Sequence, residues 1–160
     1  MDALIREYRA QDTELVVELS IRAWAPVFAT LEQVLGREIF VRLHGDWRRY
    51  QERAVRGVLA DPAMQVWIAE ATRGVVAFVA ATLHAERLLG EIVMLAVHPD
   101  EQDQGIGTAL TELATDWLQT SGMRVAMVET GGDPGHAPAR RTYEKADYTL
   151  LPVARYFKAL

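Results

Sequence analysis

The stretch from Glu91 to Leu113 limits what this chain can fold into more than any other. Ile92 to Val97 is a short apolar run rich in branched residues, bounded by Gly90 and Pro99, which favours a buried strand over a helix segment. Beyond Pro99, Ile106, Ala109, Leu110, Leu113, Ala114, Trp117 and Leu118 recur at helical spacing, with Glu112 and Asp116 opposite them. Between strand and helix, Gln104-Gly105-Ile106-Gly107 places two residues without Cβ where the chain enters the helix, leaving backbone N–H groups uncovered. Unpaired amides and the helix dipole together attract an anion such as phosphate.

Three readings compete for this turn. The glycines can serve only a tight turn. They can belong to a dinucleotide-binding fingerprint, with Glu129 closing the next strand near the distance expected of a ribose contact. That reading fails twice: Leu110 occupies the third glycine position, and Pro99 to Gln104 is too long for an immediate strand-to-glycine turn. The third reading is the pyrophosphate loop of an acyl-CoA enzyme.

At these residues the chain resembles the GNAT family of N-acetyltransferases. Gln102-Asp103-Gln104-Gly105-Ile106-Gly107 fits the family's loop, Gln/Arg-x-x-Gly-x-Gly/Ala. Leu95-x-Val97-x-Pro99 looks like its cofactor strand, and Ala139-Arg140-Arg141-Thr142-Tyr143-Glu144-Lys145 like its late helix with the Tyr-Glu-Lys signature. The motifs stand in the family's order from about Gln65 onward; before that only the order of elements agrees. The resemblance implies the GNAT fold, an α/β domain whose mixed, mostly antiparallel sheet carries helices on both faces and splays at the cofactor strand. Residues 1–64 would supply acceptor-side helices and 65–160 the acetyl-CoA-binding core of one domain.

Composition narrows the field further. The chain has 160 residues, half of them hydrophobic and a quarter charged, as expected of one globular domain. It has no cysteine, which excludes disulfides, zinc–cysteine sites and a thiol nucleophile. His44, His84 and His98 are scattered without metal-ligand spacing and read as ordinary surface or satisfied histidines; no metal is expected. A net charge of −5 without a basic run argues against nucleic acid and favours a cationic acceptor. The longest apolar run, Val75 to Ala81, falls far short of the roughly 20 residues a spanning helix needs. The first residues show no signal peptide, so the expectation is a cytoplasmic protein without membrane partners.

Taken in order, Leu4 to Tyr8 is a first strand and Gln11-Asp12-Thr13 a cap. Leu15, Val16, Leu19 and Ala23 form a helical stripe that Pro26 should end or kink, with a second helix from Thr30. Another helix runs from Asp46 to Asp61-Pro62. Gln65 to Glu70 and Val75 to Leu83 read as a hairpin turning at Ala71–Gly74, followed by a strand from Leu88 to His98 and another from Val125 to Glu129. A loop leads to a helix beginning near Pro138 and ending at Lys145. Final strands are expected at Tyr148–Leu151 and Val153–Phe157.

Acetyl transfer to an amine needs a base for the ammonium, an acid for the departing thiolate and a donor for the carbonyl oxygen. Tyr143 is the candidate acid, since a phenol near pKa 10 keeps its proton at neutral pH. Glu91 is the first candidate base, read on an alternating strand as sharing a face with Val93, Leu95 and Val97, where an apolar patch would raise its pKa. Glu129 is the second. By the resemblance, the backbone amide of Leu95 or Ala96 holds the acetyl carbonyl and Val97 lies on the cofactor strand. The resemblance also implies phosphate contacts from Gln102, Gln104, Gly105, Ile106, Gly107 and Thr108, with Arg140 or Arg141 reaching a remote phosphate. His136 stands where the family commonly has a cofactor-contacting asparagine, and Asp147 where it has a glycine; Asp tolerates the left-handed backbone better than most residues. Trp24 and Phe28 lie where the family builds its acceptor pocket, while Trp47 and Tyr50 at helical spacing read as core.

These readings converge on an acetyl-CoA-dependent N-acetyltransferase using direct attack on a primary amine of a small molecule or peptide, with a homodimer compatible. Two alternatives stand beside it: a non-catalytic acyl-CoA-binding module, and an acyltransferase for longer chains, set apart by the space near Met94 and Met127.

Overall fold

A computed structural model describes residues 2–160. Its strands and helices in chain order are β1 (Leu4–Glu7), α1 (Thr13–Leu35), α2 (Arg37–His44), α3 (Trp47–Ala60), β2 (Gln65–Ala71), β3 (Gly74–His84), β4 (Leu89–Val97), α4 (Ile106–Thr120), β5 (Val125–Val128) and α5 (Ala137–Lys145). The strands form one sheet in the order β1-β2-β3-β4-β5; every pairing is antiparallel except β4 with β5. On one face, Trp67, Ala69, Val79, Ala81 and Ile92 pack with Ile106, Leu110, Ala114 and Leu118 of α4. On the other, Val66, Ile68, Phe78, Ala80 and Ala96 pack with Val16, Val17 and Leu19 of α1 and Val55 of α3. Burial on both faces explains why β3 reads as a nearly continuous apolar run rather than an alternating one.

The register of β4 carries the main correction to the sequence reading. Ala80 of β3 opposes Met94 and Ala81 opposes Ile92, so Val93 is an extra residue, a β-bulge. One inserted residue reverses the side-chain alternation beyond it. Glu91 therefore does not share a face with Leu95 and Val97, which pack toward α4. It lies opposite Thr82 on the α1–α3 face, the face that Met94 and Ala96 occupy beyond the bulge.

Two expectations about helices and strands also change. Pro26 neither ends α1 nor precedes a new helix at Thr30; α1 runs through it to Leu35. Val16, Val17 and Leu19 before the proline and Phe28 after it are all buried, and that packing outweighs the one backbone hydrogen bond the proline forfeits. Thr30 sits mid-helix, its hydroxyl donating to the Pro26 carbonyl at 3.0 Å. The expected last strands are absent: residues 149–160 form no ladder. Pro152 has no N–H and divides the segment, and Leu151 and Val153 are each 78% exposed. It touches the rest of the chain through polar contacts of Arg155 with Glu129 at 3.9 Å and of Arg42 with the Leu160 carbonyl at 2.6 Å.

The join between β1 and α1 rests on a buried carboxylate. Both oxygens of Asp12 accept from the Arg6 guanidinium at 2.9 Å, and one also accepts from the Arg9 amide at 2.8 Å. The Arg6 hydrogen bonds hold the Asp12 carboxyl below the usual range. A depressed folded-state pKa contributes stability that is present above about pH 4 and lost as pH falls through the folded value. Asp12→Asn should cost about 2 kcal/mol at pH 7 and less at pH 3, measured by urea unfolding at both; an equal cost at the two values would contradict it. At the far end, α5 closes with Asp147 at φ 62°, Tyr148 N–H bonding the Tyr143 carbonyl and Asp147 N–H the Glu144 carbonyl. Asp147→Gly should raise stability by up to about 1 kcal/mol, seen as a higher Tm; an unchanged or lower Tm would show that the aspartate side chain offsets the backbone strain.

Candidate functional site

β4 and β5 run together only from Leu89/Val125 to Ile92/Val128. Past Ile92, β5 has stopped and the outer side of β4 has no strand partner. His98 N–H bonds the Val76 carbonyl on β3 at 2.7 Å. By the two-residue alternation of an antiparallel ladder, Ala96 and Met94 also turn their amides to β3, whereas Leu95 and Val97 turn theirs to the open side. Of the two amides expected at the acetyl carbonyl, Leu95 thus presents its N–H to the gap and Ala96 does not. The Val97 carbonyl on that side accepts from the Gln102 side-chain amide at 3.2 Å, which ties the loop to the strand.

The loop after β4 then turns sharply into α4. Asp103 at φ 61° and Gly105 at φ 83° both take the left-handed region, so the glycine at 105 is required by its backbone. A Cβ at Gly107 would meet Val97 Cγ2 at 3.4 Å and Thr142 Cγ2 at 3.7 Å, ordinary contact distances, so the start of α4 packs directly on β4 and α5. Helical bonding starts at Ala109 N–H to the Gly105 carbonyl, leaving the amides of Ile106, Gly107 and Thr108 at the mouth. Gln102, Gln104 and Gly105 are exposed, and the first turn of α4 carries no acidic residue. Open amides in a cradle that a side chain would fill suit a phosphate-bearing ligand such as the pyrophosphate of CoA.

The titratable candidates divide clearly. Tyr143 on α5 is 8% exposed, and burial, followed by the neighbouring Tyr148, pushes its phenol up to about 12. Its ring lies 6.1 Å from that of Tyr148, whose hydroxyl meets Thr115 of α4 at 2.7 Å. Glu91 is half-buried, opposite Met127 of β5, and bonds the Nε2 of His84 at 2.7 Å through Oε2. Glu129 lies past the end of β5, 71% exposed, near Arg155.

Other expected residues are placed differently from one another. Arg140 donates to the carbonyls of Gly131 and Asp133, at 2.5 and 2.8 Å, and so braces the loop before α5; Arg141 beside it is exposed. His136 Nδ1 lies 2.5 Å from Asp133 Oδ1, within the same loop. Phe28 is buried at 4% exposure and stacks on Trp47 at 4.9 Å, with His44 edge-on at 5.3 Å. It packs between α1, α2 and α3, while Trp24 is half-buried against the α1–α3 core. Burial holds His44 below the usual histidine range.

Sequence reasoning missed His84. The two glycines and the Tyr-Glu-Lys run were readable as motifs, but the His84–Glu91 pair depends on the register of β3 against β4, which the residues between them do not reveal.

Comparison with known proteins accords with this geometry. Residues 28–148 match the family model described as "Acetyltransferase (GNAT) family". Mycothiol acetyltransferase of Streptomyces coelicolor is 34% identical over 88 residues, covering 55% of this chain and 28% of that protein. That of Streptomyces griseus is 31% identical over 87 residues, 54% of this chain and 28% of the relative. The matched segment thus spans little more than a quarter of the length of those relatives. Among solved structures, the aminoglycoside N-acetyltransferase AAC(6')-Iy in complex with CoA superposes with a TM-score of 0.66 at 13% identity, covering 98% of this chain and 94% of that one. PaiA N-acetyltransferase of Thermoplasma acidophilum in complex with coenzyme A gives a TM-score of 0.66 at 16% identity over 91% and 89%. At such identities the likeness is one of fold. With the family match spanning most of its length, the parted β4 and β5 and the glycine-led start of α4 find their place: the chain belongs to the GNAT family of acetyltransferases.

Proposed function

We propose that this chain is an acetyl-CoA-dependent N-acetyltransferase, cytoplasmic and of one domain, that moves the acetyl group to a primary amine by direct attack in a ternary complex. The observation that supports it most is the open Leu95 amide in the β4–β5 gap, with the bare amides of α4 beyond one end of the gap and Glu91 at the other. The CoA-bound fold neighbours support acyl-CoA as the donor. The names of the mycothiol and aminoglycoside acetyltransferases support a small-molecule acceptor, and the net charge of −5 suits a cationic one.

The residues divide the work as follows. The amides of Gln104, Gly105, Ile106, Gly107 and Thr108 receive the pyrophosphate, and Arg141, rather than the occupied Arg140, is the free cation for a remote phosphate. Leu95 N–H donates to the acetyl oxygen as it gains negative charge, an interaction worth about 100- to 1000-fold in rate. Glu91 lies four residues back along the strand, roughly 12 Å, so it takes the ammonium proton through a water. The amine nitrogen then attacks the thioester carbon, the C–S bond breaks as the C–N bond is kept, and the nitrogen gives its second proton to solvent, which protonates the departing thiolate. Tyr143, with its phenol at about 12, is a weaker acid than an ordinary thiol near 8.5. It therefore serves as a hydrogen-bond donor to the departing sulfur and keeps its own proton, and the thiolate is protonated from solvent.

Thiol release from acetyl-CoA, assayed at pH 6 to 9 with spermidine, kanamycin, free amino acids and a lysine peptide, tests the reading. Amine-dependent release is expected; silence combined with a rise in Tm on adding acetyl-CoA would favour a binding module. Because Tyr143 keeps its proton up to about pH 12, the rate should climb through this range without an alkaline fall. Tyr143→Phe should lower kcat by about 100-fold while leaving the acetyl-CoA thermal shift intact, and unchanged turnover would remove the tyrosine from the chemistry. Glu91→Gln should lose most activity at pH 6, where the amine most needs a base; full activity there would transfer the role to Glu129.

A further inference from the structure

Within that reading of Glu91 as the base, we propose that His84 is its positioning residue. His84 is the last residue of β3 and Glu91 the third of β4; Thr82 stands directly across from Glu91, which makes His84 its diagonal neighbour on the same face. Diagonal positions on an antiparallel pair lie within reach of long or aromatic side chains, and here the contact closes at 2.7 Å. It is the sole hydrogen bond of the Glu91 carboxylate among the described residues, and it engages Oε2 alone. The His84 side chain is 36% exposed and that of Glu91 26%. A pair this accessible adds little to stability, but its geometry has a chemical consequence.

A carboxylate only accepts, so Nε2 of His84 carries the hydrogen and donates. That bond fixes the rotamer of Glu91 and occupies Oε2, leaving the lone pairs of Oε1 free for the water that brings the proton of the acceptor ammonium. Once Oε1 is protonated, Oε2 is a carbonyl oxygen and still accepts from the same Nε2–H. His84 thus retains its proton through the cycle, and Glu91 returns its own to solvent after the product leaves.

The test compares His84→Phe, which removes the donor, with His84→Gln, which keeps an N–H on a side chain of similar reach. Turnover is measured by thiol release from acetyl-CoA with the most active amine of the panel above. His84→Phe should lower kcat by about tenfold with KM for acetyl-CoA unchanged, His84→Gln should recover most of it, and His84→Phe added to Glu91→Gln should cost nothing further. Full kcat in His84→Phe, or losses that multiply in the double variant, would overturn the proposal. A fully active Glu91→Gln would instead overturn the role of Glu91 as base, and that of His84 with it. Proton NMR of the imidazoles decides the pairing even if no amine in the panel is accepted: at pH 8 the His84 Nε2–H should resonate downfield and exchange slowly with water, and both features should be lost in Glu91→Leu, which removes the acceptor. A His84 Nε2–H indifferent to Glu91→Leu would overturn it.

Discussion

The structure turns on the parting of β4 from β5. A sheet satisfies its backbone by continuous pairing, and an inner strand that loses a neighbour leaves amides that must find another partner. Here the pairing holds for four residues and then stops, and β4 carries its bulge at the same place. The two features act together. The parting frees the Leu95 amide, and the bulge reverses the alternation so that Glu91 lies on one face while Leu95 packs toward the other. A strand without the bulge would turn Glu91 toward α4, away from α1 and α3.

Everything on the α4 side follows from bringing a helix N-terminus to the mouth of that gap. Gly105 takes a backbone conformation that a side chain resists, and Gly107 lies where α4 packs on Val97 and Thr142. Gly90, further down the strand, faces Leu118, whose side chain a Cβ there would overlap, so at Gly90 a side chain would collide with α4. α5 joins the same layer through Tyr148 and Thr115, which sets Tyr143 in a buried place and keeps its phenol protonated.

The opposite face is built differently. α1, α2 and α3 meet in a cluster of Phe28, Phe40, His44, Trp47 and Tyr50, aromatic packing that gives this side a rigid wall without a recognisable motif. Such packing rests on side chains from several helices at once rather than on a repeated backbone device.

How much of this was legible follows from the range of the interactions. Gly105, Gly107 and the strand and helix that flank them act over a few residues, so hydrophobic period and glycine placement disclosed them; the left-handed Asp147 was readable for the same reason, since the turn that needs it is local. Pro26 misled because a local breaker was outweighed by burial of Val16, Val17, Leu19 and Phe28, and residues 149–160 misled because strand propensity does not provide a partner strand. The sequence by itself determined the layered α/β fold and the amide-lined entry to α4, both set by short-range pattern. Only the tertiary structure decided that Glu91 lies on the α1–α3 face and meets His84, because a single extra residue at Val93, visible only in the register against β3, reverses every side chain that follows it.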